Sequence, residues 1–182
     1  MKTKNDFTHQ IPGAYRYSVV QPLTTGGQSQ LWLAEDRLTG KAVVIKSGTS
    51  ENDLRHEFRM LKRLCHPHIP RVYDMGVFQD ENWLVLEALE GETLAQLINQ
   101  NHVFTQNIFW RLVFQLLLTL DYLGRLRIVH RDLKPQNILI GSLPSPHPSL
   151  KLIDFGMAAH EEDLGEQKIP GGTIQYLSLI HI

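Results

Sequence analysis

Apolar and polar positions change rhythm along this chain, and the changes mark its elements. Between Tyr15 and Leu33, Tyr17, Val19 and the run Leu31-Trp32-Leu33 have strand character, and Thr24-Thr25-Gly26-Gly27-Gln28-Ser29 interrupts them. The pattern predicts strand, turn, strand. Lys41-Ala42-Val43-Val44-Ile45-Lys46 reads as a buried strand that ends in a lysine. From Asn52 to Leu64 the spacing turns helical, with Ser50 or Asn52 as candidate cap. Val72-Tyr73 and Trp83 to Glu87 return to strand.

The second half is organised differently. Phe104 to Leu126 predicts one long helix, with apolar side chains from Ile108 to Leu123 over most of its circumference. Such a helix needs burial on most sides. Ile138-Leu139-Ile140 and Leu150-Lys151-Leu152-Ile153 predict two short strands flanking Ser142-Leu143-Pro144-Ser145-Pro146-His147-Pro148-Ser149, whose prolines make it a rigid surface loop. A strand-rich first half and a helical second half give an α+β chain.

Composition narrows the function without choosing it. A chain of 182 residues suggests one domain with a real core. A net charge of −1 gives no electrostatic reason to expect nucleic acid or an anionic membrane as partner. The single cysteine, Cys65, excludes an internal disulfide framework and fits a reducing, cytoplasmic setting. Met1-Lys2-Thr3-Lys4-Asn5-Asp6 has no apolar segment behind its charges and does not read as a signal peptide. Arg111, Gln115 and Asp121 interrupt the apolar stretch in the long helix, which falls short of the ~20 apolar residues of a membrane span. The histidines are scattered, and His66-Pro67-His68 has no second pair at zinc-ligand spacing.

Candidate chemistry concentrates in one place. His130-Arg131-Asp132-Leu133-Lys134-Pro135-Gln136-Asn137 puts a carboxylate, an ammonium and an amide on one short loop, and Asp154-Phe155-Gly156 adds a second carboxylate. Phosphoryl transfer asks for these types: a base near the incoming hydroxyl, oxygen ligands for magnesium, and cations on the phosphate oxygens. The two segments resemble the HRDLKPxN and DFG motifs of protein kinases. Three common residues make DFG weak alone, but the eight-residue string is specific.

The resemblance runs from Tyr15 to Ser178 and is to eukaryotic-like serine/threonine protein kinase catalytic domains of bacterial type. It implies a protein-kinase-like α+β fold: an extension (1–14), a complete antiparallel nucleotide-binding lobe with one helix (15–90), and part of a helical lobe (91–182) with the catalytic loop, DFG and activation segment. It implies ATP and Mg2+ as cofactors and a protein Ser or Thr hydroxyl as acceptor. Val43-Val44-Ile45-Lys46 resembles VAIK, so Lys46 would contact the α- and β-phosphates. Glu57, at the family's offset before His66-Pro67-His68-Ile69, would be its ion-pair partner. Asp132 would be the base, and Lys134 would neutralise the γ-phosphate and mark the serine/threonine branch. Asn137 and Asp154 would hold the metal. Leu31, Val44 and Leu139 would sandwich the adenine, the hinge Glu87-Ala88-Leu89 would pair with it, and Leu86 would be the gatekeeper. Leu61, Val72, His130 and Phe155 match the hydrophobic stack of active kinases.

Three departures qualify the resemblance. The family's G-x-G-x-x-G reads here Thr24-Thr25-Gly26-Gly27-Gln28-Ser29, so Gly26 keeps the middle position while Thr24 and Ser29 replace the outer glycines. A β-branched threonine tolerates the required backbone badly, which implies a stiffer lid and weaker nucleotide binding by Gly26, Gly27 and Ser29. Met157 to Gly172 holds no Ser, Thr or Tyr, and Glu161, Glu162, Asp163 or Glu166 would stand in for an activating phosphate. Gly172-Thr173-Ile174-Gln175-Tyr176-Leu177-Ser178 resembles GTxxYxS, but the Pro-Glu that follows in the family is missing. Loss of the later helices would leave the Trp110 and Leu117 helix with an exposed apolar patch and poor solubility. The rival reading is a catalytically inactive kinase-like binding module. A small-molecule kinase fits less well, because those relatives usually lack the HRDLKP form.

Overall fold

A computed structural model describes residues 16–24, 29–48, 51–78, 81–141, 143 and 145–164. They fall into two compact units: the chain up to Lys62 with Arg71–Ala88, and Arg63–Pro70 with the chain from Leu89 onward.

The first unit is a five-stranded antiparallel sheet of β1 (Tyr17–Thr24), β2 (Ser29–Asp36), β3 (Lys41–Gly48), β4 (Val72–Phe78) and β5 (Glu81–Glu87), in the order β1-β2-β3-β5-β4. Proline cannot donate to a ladder, and Pro22 accordingly sits on edge strand β1, beside one of its two irregularities. Tyr17, Ala34, Val43, Ile45, Trp83 and Val85 form a buried cluster with Trp32 against it. Each fully buried side chain of this size contributes about 1.5–3 kcal/mol. Gly76 of β4 is fixed by packing, because a Cβ there would run into the Trp83 indole.

A polar cluster that sequence reasoning missed locks this sheet. Asp36 accepts from Arg16 Nε and Nη2, both at 3.0 Å, and from Leu38 N and Thr39 Oγ1, both at 3.1 Å. The Arg16 guanidinium holds the Asp36 carboxyl down to about 2. Burial pushes the Tyr17 phenol up to about 12, helped by Asp74, whose Oδ2 accepts from Tyr17 OH at 3.2 Å. The β2–β3 turn closes through Gly40 at φ 67, a backbone that suits glycine.

Helix α1 (Glu51–Leu61) starts earlier than the sequence predicts and ends sooner. Asn52, a candidate cap, therefore lies inside the helix rather than ahead of it. Ser50, the other candidate, falls outside the described residues. The predicted continuation to Leu64 fails because the Cys65 N–H donates to Tyr122 OH at 2.9 Å.

The second unit holds β6 (Glu92–Thr93), α2 (Leu94–Asn99), α3 (Gln106–Arg125), β7 (Ile128–Val129), β8 (Ile138–Gly141), β9 (Ser149–Leu152) and β10 (Ala159–His160). β6, β8 and β9 form one sheet, while β7 pairs with β10. Short α2 was not predicted, although Thr93 and Gln96 form the capping box that announces it. In α3 the cap Thr105 accepts from Ile108 N, and Arg127 at φ 54 follows the last turn. The expected burial of α3 on most sides is not met, while the expected exposed patch around Trp110 and Leu117 is: Leu112, Thr119 and Leu123 are its buried residues. Phe109, Trp110, Phe114, Leu117 and Leu118 are exposed, Phe114 by 61%. No helix among the described residues is long and apolar enough to cross a membrane.

Candidate active site

Two groups of predicted site residues come together, one in each unit. In the first unit the strand β3 delivers Lys46 and the helix α1 delivers Glu57. Lys46 Nζ meets Glu57 Oε2 at 2.7 Å, and the Glu57 side chain is only 3% exposed. An ion pair this dry is held by its two elements rather than by surface attraction. Leu31 pairs with Lys46 across the β2–β3 ladder, and Val44 pairs with Leu33 on one side and Leu86 on the other. Glu87 closes β5, and its Oε2 accepts from Arg71 N at 3.0 Å. Ser29 opens β2 opposite Gly48. Gly26 and Gly27 fall outside the described residues.

In the second unit the loop after β7 folds on itself. Lys134 Nζ lies 2.6 Å from Asp132 Oδ2. Asn137 Nδ2 donates to the same Oδ2 at 2.9 Å and to the Asp132 carbonyl at 2.8 Å. Pro135 opens the 3-10 turn Pro135–Asn137, whose closing bond is Asn137 N to Lys134 O at 2.9 Å. Prolines favour such a first position because φ is already set. Asp132, Lys134 and Asn137 are thus locked by a single turn of chain, and Asp132 and Asn137 are buried.

The second carboxylate is tied to the first by backbone. Ile153 N donates to Asn137 O at 2.9 Å, which places exposed Asp154 one residue beyond that bond. Leu139, in the strand between, pairs with Thr93 and Lys151. Leu89 lies half-buried ahead of β6. Arg131 at φ 65 and Asp154 at φ 66 occupy the left-handed region, which is uncommon away from glycine and concentrates at functional sites.

His130 supports both segments. Its Nε2 carries a proton and donates to the Ile153 carbonyl at 3.1 Å, while Nδ1 is buried with no described partner, as suits the neutral ring. Burial pushes its pKa down, in agreement with that form. The ring packs edge-on against Phe155 at 4.8 Å between centroids. Leu61 and Val72 belong to the first unit, His130 and Phe155 to the second.

The activation-segment acids divide. Glu162 Oε1 meets Arg127 Nη1 at 3.5 Å, with both side chains exposed. Glu161 and Asp163 are exposed, while Glu166 and the stretch from Gly172 to Ser178 fall outside the described residues.

The chain belongs to the protein kinase family: the model described as "Protein kinase domain" matches residues 17–178. Among similar proteins, the probable serine/threonine-protein kinase PknB of Lactococcus lactis is 31% identical over 176 residues, covering 91% of this chain and 27% of that protein. The serine/threonine-protein kinase PrkC of Bacillus subtilis is 31% identical over 173 residues, 90% of this chain and 26% of that protein. The human serine/threonine-protein kinase ULK3 is 35% identical over 129 residues, 71% of this chain and 27% of that protein. The chain therefore spans a little over a quarter of the length of these curated relatives.

Proposed function

We propose that this chain carries the phosphoryl-transfer centre of a serine/threonine protein kinase and moves the γ-phosphate of ATP to a protein Ser or Thr hydroxyl. The observation that carries the reading is the clamp on Asp132, whose Oδ2 takes both Lys134 Nζ at 2.6 Å and Asn137 Nδ2 at 2.9 Å. A carboxylate so held has one orientation, which is what a base must have before an acceptor arrives.

The acceptor oxygen attacks the γ-phosphorus, the bond to the β–γ bridging oxygen breaks, and ADP leaves. Asp132 takes the proton of the attacking hydroxyl. Lys134 brings its ammonium to the transferring phosphoryl oxygens, and Lys46, oriented by Glu57, does the same for the α- and β-phosphates. With the Asn137 amine spent on Asp132, its Oδ1 is the end that would meet a cation. That oxygen and the Asp154 carboxylate are hard donors, which suit Mg2+. When bound, Mg2+ supplies charge neutralisation on the phosphate oxygens. Leu31, Val44 and Leu139 would line the adenine site, with Glu87 and Leu89 at the hinge and Gly26, Gly27 and Ser29 over the phosphates.

A specific feature favours a second reading, the inactive binding module: Thr24 and Ser29 stand where the family keeps glycine. One experiment separates them. The chain is incubated with γ-labelled ATP, Mg2+ and a generic acceptor protein, and labelled residues are identified after acid hydrolysis. Labelled phosphoserine or phosphothreonine that disappears with EDTA supports the transfer reading. Nucleotide binding without labelled product supports the module.

A further inference from the structure

Strand β9 delivers the polypeptide to Asp154, yet among the described residues β8 is its only strand partner: it lies at the edge of the three-stranded sheet. The outer edge of such a strand has backbone donors and acceptors left to satisfy. Here the Gln115 and His68 side chains and the His68 carbonyl, all from outside the sheet, do so. Gln115 of α3 accepts from Leu150 N through Oε1 at 2.7 Å and donates to Pro148 O through Nε2 at 3.1 Å. His68 donates from Nδ1 to Leu150 O at 2.9 Å, while Leu152 N donates to the His68 carbonyl at 2.8 Å. Together the four bonds imitate a missing neighbouring strand. Leu150 and Leu152 are 2% and 0% exposed, so water does not replace these partners.

We propose that Gln115 and His68 are positioning residues for the metal-binding acid, fixing β9 so that Asp154 is held in its left-handed backbone beside Asn137. The inference rests on the reading of Asp154 as a metal ligand. Four features support it. Gln115 is one of the polar residues that interrupt the apolar stretch of α3, with Arg111 and Asp121, and its amide is bonded at both ends. Its amide uses both ends on one segment, which fixes the register of β9 as well as its distance. The next backbone bond along the chain, Ile153 N to Asn137 O, joins this strand to the catalytic loop. Asp154 at φ 66 is a backbone state that persists only where its surroundings impose it.

The test uses the full chain and Mn2+ with a fluorescent ATP analogue as probe. Affinity for Mn2+ is read by electron paramagnetic resonance in the presence of the nucleotide, and amide hydrogen exchange is read across 149–154. Gln115→Leu removes both bonds and is expected to weaken Mn2+ binding about 5- to 10-fold, and to speed exchange at Leu150 and Leu152 while leaving that of α3 unchanged. Gln115→Glu keeps the acceptor for Leu150 N but loses the donor to Pro148 O, and should weaken Mn2+ binding less than Gln115→Leu does. His68→Asn preserves an N–H donor and should do better than His68→Ala. Wild-type Mn2+ affinity in Gln115→Leu would overturn the proposal, as would equal weakening in Gln115→Glu and Gln115→Leu. Should Gln115→Leu fail to fold, the comparison of His68→Asn with His68→Ala decides in its place, and equal Mn2+ affinity in those two overturns it. If the unaltered chain binds no Mn2+–nucleotide, the metal-ligand reading of Asp154 and the positioning proposal that rests on it both fall. Unaltered Mn2+ binding beside an unaffected variant removes the positioning proposal alone.

Discussion

The two groups of candidate residues, one in each unit, are built on opposite plans. Lys46 and Glu57 come from different elements and meet at 2.7 Å because a sheet and a helix bring them there. Asp132, Lys134 and Asn137 come from a single loop and meet because one 3-10 turn leaves them nowhere else to go. The first arrangement depends on packing throughout its unit. The second depends on local backbone, one buried histidine and the strand that follows. The lesson is that the same requirement, an oriented charge, can be met globally or locally, and the two should fail differently when disturbed.

Substitution of the locally held acid should have the largest effect on chemistry and a small effect on folding. Asp132→Asn keeps shape and is expected to lower the transfer rate by ~10²–10⁴. Steady-state transfer from ATP, read beside a melting curve, checks both halves of that statement. Lys46→Met should disturb both transfer and folding. Removing one partner of a buried pair leaves Glu57 charged in a dry site and costs about 3–5 kcal/mol. The double variant Lys46→Met with Glu57→Leu should regain most of that stability in urea titration without regaining transfer. If the single variant unfolds at the same urea concentration as the unaltered chain, the pair is not held as described.

Smaller perturbations separate the units. Gly76→Ala sets a Cβ against the Trp83 indole and should cost about 1–3 kcal/mol through overpacking. Its effect should appear in amide exchange of β4 and β5 and leave the catalytic loop alone. The mirror experiment is acidification. His130 is held neutral, with its pKa below the usual 6.5 because it is buried. The unfolded chain therefore binds this proton more readily, and stability from this group is present above about pH 6.5 and lost as pH falls below it. Asp36, held at about 2 against a usual 3.8, contributes stability above pH 3.8 that is lost as pH falls toward 2. Melting temperature followed from pH 7.5 to 5 should decline, and His130→Asn should flatten that decline. An unchanged slope in the variant would assign the acid sensitivity elsewhere.

How much of this could be seen in advance follows the same division. The catalytic loop was legible because its chemistry is contiguous: the residues that touch in space also touch in sequence. Strands β2, β3 and β5 were legible from their apolar runs. The Lys46–Glu57 pair could be found only through family offsets, since nothing in composition joins a strand lysine to a helix glutamate. Helix α2 was overlooked although Thr93-Leu94-Ala95-Gln96 carries the capping-box spacing. The Asp36 cluster was invisible because β1–β2 pairing brings Arg16 to Asp36, while Asp74 reaches Arg16 and Tyr17 from β4, the other edge strand of the sheet. Gln115 reads in sequence as an interruption of an apolar helix, and its meaning lies in an edge strand far along the chain.

The central claim is that the Asp132 clamp and Asp154 serve one phosphoryl transfer. It is tested most directly by labelled phosphate transfer from ATP in this chain and in Asp154→Asn, each corrected for folded protein by its melting curve. The account predicts measurable transfer by the first and a loss of at least about 100-fold in the second, the lower end of what an oriented charged group contributes to such a step. Equal counts from the two proteins would contradict it.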